Sequence, residues 1–160
     1  MRSVNDNLGI CKTENIGFLL QNLAFRHPER LAILAPGREP MTYSRLLSQL
    51  ERTKAALTYA GIQAEDRIAV VLPAGPELAV SSLAVAVTAS CALLNPALRQ
   101  SEFDTCFSWL KPRALIVELG FNSPVRDVAA KYGTQIIELE AGAEAGVFSL
   151  KTLMRVRALL

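Results

Sequence analysis

The chain has 160 residues, 51% hydrophobic and 20% charged, with 17 Lys and Arg against 15 Asp and Glu. That is the length of one domain and the composition of a folded globular chain, not a disordered one. A net charge of +2, with no Lys/Arg run and no interleaved aromatics, excludes a nucleic-acid surface.

The predicted elements follow in chain order. Residues 1–12 are polar and lack the apolar core of a signal peptide. Ile16, Leu19, Leu20, Leu23 and Ala24 fall at i, i+3, i+4, i+7 and i+8, which predicts a helix over 15–26 with Thr13 as its N-cap. His27-Pro28 ends it, because the residue before proline is pushed out of the α region. Residues 31–34 read as a short strand, Pro36-Gly37 as a turn, and 40–42 as the return strand of a small hairpin. Thr42 then caps a helix over 43–59 with Leu46, Leu47, Leu50 and Leu57 on one face, and Gly61 supplies the left-handed residue past its end.

From residue 67 the pattern alternates. Strands are predicted at 67–72, 91–94, 114–117 and 135–139. Between them lie helices starting at Pro76, at the S-x-x-D capping signature Ser101 to Asp104, and at Ser123-Pro124. The uncharged stretch 78–94 is shorter than the ~20 residues of a spanning helix, and its prolines and glycine at both ends make it a buried helix running into a buried strand. No membrane span is expected. The fold class is therefore α/β: a mainly parallel β-sheet built from βαβ repeats, with helices on both faces, preceded by a helix and a small hairpin. The α/β unit is expected over 1–140, a small-residue linker over 141–146, and a basic amphipathic segment over 147–160, read as a surface helix of this domain, the start of a missing one, or a frayed end.

Three short motifs recur in a set order: Thr42-Tyr43-x-x-Leu46, Leu72-Pro73, and Leu94-Asn95-Pro96 followed by Leu98-Arg99-Gln100-Ser101-Glu102-Phe103. With the element pattern, they make residues 13–140 resemble the N-terminal part of the AMP-forming acyl-CoA ligases, within the adenylate-forming, AMP-binding superfamily. The Asn-Pro form resembles fatty-acid and aryl-acid CoA ligases more than amino-acid-activating modules. The resemblance implies the N-terminal subdomain of that fold. The full-length enzyme would activate a carboxylate with ATP and magnesium to an acyl-adenylate, then pass the acyl group to CoA or a carrier-protein thiol. It implies the remaining ligase domains as partners, leaves a homodimer open, and implies a cytoplasmic location.

The chain departs from the family pattern at several positions. Ala89-Ser90 stands where Ala-Gly is common, Ala74 where Asn is common, and Arg45 where Glu would complete a capping box with Thr42, a loss of ~1 kcal/mol or less. The 160 residues contain no Ser/Thr/Gly-rich phosphate loop with its lysine, no aromatic-Gly-x-Thr-Glu stretch and no Thr-Gly-Asp. No catalytic, cofactor-binding or metal-binding residue is therefore carried over. Pro73, Asn95 and Pro96 match as structural residues only, and the fragment is expected to be inactive and to hold no cofactor itself.

The residues themselves give the same expectation. The one histidine, His27, precedes Pro28 with no G-x-S-x-G elbow to partner it, and reads as a surface residue. Glu138 and Glu140 share one face near a strand end, where open α/β sheets bind ligands, yet read as solvated charges. Glu65-Asp66-Arg67 reads as a polar turn. None of the 9 glycines forms a dinucleotide or P-loop fingerprint. Pro73-Ala74-Gly75-Pro76 offers few N–H groups to an anion at the following helix N-terminus. Trp109, Phe103 and Phe107 read as a helix-packing set. Cys11, Cys91 and Cys106 form no C-x-x-C pair and read as reduced thiols. Besides the ligase fragment, the sequence leaves open a stand-alone interaction module that binds a partner or a second copy.

Overall fold

The computed structural model describes residues 15–152. The chain enters through α1 (Ile16–Arg26), β1 (Leu31–Ile33), β2 (Met41–Thr42) and α2 (Tyr43–Tyr59). The alternating part follows as β3 (Arg67–Val71), α3 (Pro76–Ala86), β4 (Ser90–Leu93), α4 (Gln100–Leu110), β5 (Ala114–Glu118), α5 (Val125–Lys131), β6 (Gln135–Ala141) and β7 (Phe148–Thr152).

The predicted Thr13 cap lies outside the described residues. Asn15 caps α1, its side chain accepting from the Phe18 N–H at 2.9 Å. The apolar stripe buries only Leu20 and Ala24, while Ile16 and Leu19 stay exposed. The physical reason is position: α1 packs mainly on α2 at the margin of the molecule, so part of the stripe overhangs the core. Thr42 caps α2 as predicted, accepting from the Arg45 N–H, and Gly61 takes φ +83° just past its end. β1 and β2 pair antiparallel as the small hairpin.

Among the described residues, β3 to β7 form one sheet in the order β4-β3-β5-β6-β7. Strands β3 to β6 are parallel, and β7 runs antiparallel to β6. Successive side chains of a strand point to opposite faces. Ile68, Val70, Ile116, Ile137 and Leu139 therefore pack under α2 and α3, with Leu46, Leu57 and Val80. Ala69, Val71, Leu115 and Val117 pack on the other face with Phe103 and Phe107 of α4 and Val125 and Val128 of α5. Both faces are covered, so these strands read as continuous apolar runs.

Three expectations are corrected. α4 starts earlier than the S-x-x-D signature: Arg99 is its N-cap, and the Glu102 carboxylate reaches back to the Arg99 N–H at 2.7 Å. Asn95 sets this entry, its side chain accepting from the Ala97 N–H and its carbonyl from the Leu98 N–H, while Asp104 pairs with Lys131. Trp109 is not core: it is 83% exposed while Phe103 and Phe107 are fully buried. Two positions past Phe107 is about 200° around a helix of 3.6 residues per turn, which turns Trp109 outward.

The third correction concerns the end of the chain. Residues 148–152 form β7 rather than an amphipathic helix, and 153–160 lie outside the described residues. Phe148 and Leu150 also satisfy a period of two, and the open edge of β6 supplies a backbone partner that a helix would leave unpaired. Residues 142–146 are a packed turn, not a loose linker. The Gly142 N–H donates to the Val147 carbonyl at 2.7 Å, and the Ala145 N–H to the Glu39 carbonyl at 3.0 Å.

Two outcomes are expected. Gly146 sits at φ +78°, and an added Cβ would lie 2.6 Å from Val80 Cγ2. Gly146→Ala should lower the unfolding free energy in urea by about 2–4 kcal/mol, the sum of overpacking and left-handed strain. Gly37→Ala, at φ +71° in open space, should cost only about 1–2 kcal/mol. Equal losses would contradict the packing argument. In β4, burial raises the Cys91 thiol above its ordinary value of 9.0. A raised folded value stabilises the fold below the unfolded pKa and loses that contribution as pH rises through the folded one. Urea midpoints should therefore fall above pH 9 in the parent, and fall less in Cys91→Ala.

Candidate functional site

The crossovers define where a site can form. β3 leads into α3 on one face of the sheet, and β5 leads into α5 on the other. Since β3 and β5 are neighbours, their chains part at the carboxyl ends and leave a crevice. A cleft of about 130 Å³ lies there, lined by the turn 72–76, Glu77, Glu118, Leu139 and Ala141.

The chemistry of this cleft is narrow. Pro73 and Pro76 carry no N–H, and Pro76 opens α3 as predicted. The first turn of α3 holds Glu77, whose carboxylate pairs with Arg38 at 2.6 Å and accepts the Gly146 N–H at 3.3 Å. An anion at this helix end would meet Glu77 and Glu118, and no Lys, Arg or His lines the cleft. Ligand pockets typically enclose about 300–1,000 Å³. The cleft within this segment is smaller than that. Among the described residues no group of three His, Cys, Asp or Glu converges on one point.

The predicted residues separate. Glu138 is not a solvated charge: it pairs with Arg126 at 2.7 Å, the two side chains only 12% and 23% exposed. Arg126 also donates to the Phe121 carbonyl at 2.8 Å and the Glu118 carbonyl at 3.1 Å, closing the turn after β5. Glu140, two residues on, pairs with Lys151 across the β6–β7 ladder and remains half-exposed. Asp66 makes the expected polar turn, its carboxylate accepting the Gln63 N–H at 2.8 Å. His27 is exposed at the C-cap of α1. Sequence reasoning missed Arg38, Arg126, Glu77 and Glu144, because each is paired across a distance in the chain that carries no local signal.

A larger groove of about 500 Å³ runs between α1, α2 and α3, with Phe18, Leu47, Leu50 and Val87 beside exposed Glu51 and Lys54. It is lined by helices rather than strand ends, and it brings together no nucleophile and base.

The comparisons with known proteins agree with this architecture. The family described as AMP-binding enzyme matches residues 20–153. The oxalate–CoA ligase of Arabidopsis thaliana is 31% identical over 121 residues, which is 74% of this chain and 24% of that protein. Acetyl-coenzyme A synthetase 1 of Candida albicans is 39% identical over 67 residues, 39% of this chain and 10% of that one. A benzoate CoA ligase from Burkholderia xenovorans LB400 shares the fold at a TM-score of 0.71 and 21% identity, over 82% of this chain and 27% of that chain. The chain thus spans about a quarter, or less, of the length of these relatives. With a mostly parallel sheet covered on both faces and a family match across most of its length, the chain belongs to the AMP-binding enzyme family.

Proposed function

We propose that these 160 residues are the scaffold portion of an AMP-dependent acyl-CoA synthetase. The full-length form would activate a carboxylic acid with ATP and magnesium to an acyl-adenylate and transfer the acyl group to CoA or a carrier-protein thiol. The carrying observation is the family match over residues 20–153, joined to the coverage of only 24% of the oxalate–CoA ligase. The cleft's small volume and its two carboxylates, Glu77 and Glu118, with no Lys, Arg or His among its lining residues, support a scaffold role. Nucleotide, metal and acyl group would be held by domains beyond this segment. The sheet would support the wall of their site, with the remaining ligase domains as its partners. The relatives' names cover several acids, so the acyl substrate stays at the level of a carboxylate. We place the enzyme in the cytoplasm, in keeping with the free thiols of Cys91 and Cys106.

A second reading has one observation behind it. Phe18, Leu19 and Phe25 of α1 are exposed, as are Leu31 and Leu34 just beyond it, and clustered apolar surface marks association. A stand-alone interaction module would use that surface, either for a partner or for a second copy.

The purified 160-residue chain should give no ATP–pyrophosphate exchange above background with a panel of short-chain, fatty and aromatic acids. Measurable exchange would sink the scaffold assignment. The intact mass of the gene product in its source cells separates the two readings: a species several times heavier than 17.4 kDa supports the ligase fragment, while one near that mass supports the module. Light scattering at high concentration then tests self-association, and a monodisperse monomer counts against the second-copy form of the module.

A further inference from the structure

Two turns far apart in the chain are joined by one side chain. Arg38 lies in the turn between β1 and β2, and its partners lie 104 to 106 residues later, in the turn between β6 and β7. Its Nη2 donates to the Gly142 and Glu144 carbonyls, both at 2.8 Å, and its Nε donates to the Ala143 carbonyl at 3.4 Å. Its Nη1 pairs with Glu77 Oε1 at 2.6 Å. The contacts around it run the same way. Arg45 of α2 pairs with Glu144 at 2.6 Å. The Ala145 N–H donates to the Glu39 carbonyl, and the Gly146 N–H donates to Glu77.

Three successive carbonyls converging on one cation is not a feature of sheet or helix ladders. Gly142 and Ala143 are exposed and Glu144 is half-buried, and a single guanidinium ties the carbonyls of all three. Its planar fork of donors can span three carbonyls and a carboxylate at once, where an ammonium acts as a point charge. The element held this way lies at the margin of the sheet. Among the described residues β7 is an edge strand of 5 residues. Its other restraints include the ladder to β6, the Lys151–Glu140 pair, the Gln49 Nε2 bond to the Phe148 carbonyl at 2.9 Å, and the packing of Phe148 and Leu150.

We propose that Arg38 is a conformational strap. It makes closure of the β6–β7 hairpin conditional on the β1–β2 hairpin being in place. When it releases, the turn 142–146 and β7 open as one unit, and the parallel strands β3 to β6 stay folded. The strap is a property of this chain's own fold and holds whether or not the chain is part of a ligase.

The test is native-state hydrogen exchange on the full chain. In Arg38→Gln, amides of 142–152 should exchange at least about tenfold faster, as loss of charge-assisted hydrogen bonds implies, while β3 and β5 amides stay within about twofold of the parent, as local opening requires. Arg38→Lys should resemble Arg38→Gln more than the parent, and Glu77→Gln, which leaves the three carbonyl bonds, should give a smaller acceleration over the same residues. Unchanged exchange over 142–152, or acceleration shared equally by β3 and β5, overturns the strap. Should Arg38→Gln fail to fold, Glu77→Gln carries the test by the same local-against-global criterion.

Discussion

From Ile68 to Val71, strand β3 touches water on neither face. Ile68, Ala69, Val70 and Val71 are fully buried, alternately under α2 and α3 and under α4 and α5. Burial of such side chains contributes roughly 25 cal/mol per Å² of apolar surface, and it is available only if helices cover both faces. That requirement sends the chain from β3 to one side and from β5 to the other. The crevice between their carboxyl ends is thus a consequence of how the sheet is kept dry.

What occupies that crevice follows from charge. Glu77 sits at the start of α3, where a carboxylate complements the helix dipole, and Arg38 neutralises it from another element. Arg126 and Glu138 do the same beyond β5. Each guanidinium also takes backbone carbonyls that the turns leave without ladder partners. The strand ends are tied down by structural ion pairs, and the charges available there serve the fold. This accounts for a cleft of about 130 Å³, placed where α/β enzymes bind ligands, whose lining holds two carboxylates and no Lys, Arg or His.

Much of the fold was legible in the residues. Pro76, Gly61 and the Thr42 cap act within a turn of their own positions, and the structure has each where local stereochemistry puts it. The βαβ alternation was legible because strands buried on both faces must be apolar throughout. The errors fall where two local patterns compete or where burial decides. Residues 148–152 fit a helical stripe and a strand alternation equally well, and the unpaired edge of β6 selected the strand. The spacing of Phe103, Phe107 and Trp109 looked like one packing set until the face actually covered was known. Glu138 looked solvated because its partner, Arg126, lies 12 residues earlier on a different element.

The limits of α1 and α2, most turn chemistry, the fold class and the family resemblance were carried by the residue order, because each rests on interactions within a few positions or on the periodicity of burial. The tertiary structure alone decided which faces are covered and how large the crevice is. It also decided which charges meet, as with Arg38 reaching the carbonyls of 142–144 across more than a hundred residues. Such pairings depend on where the sheet brings distant turns together, and no local pattern encodes that distance.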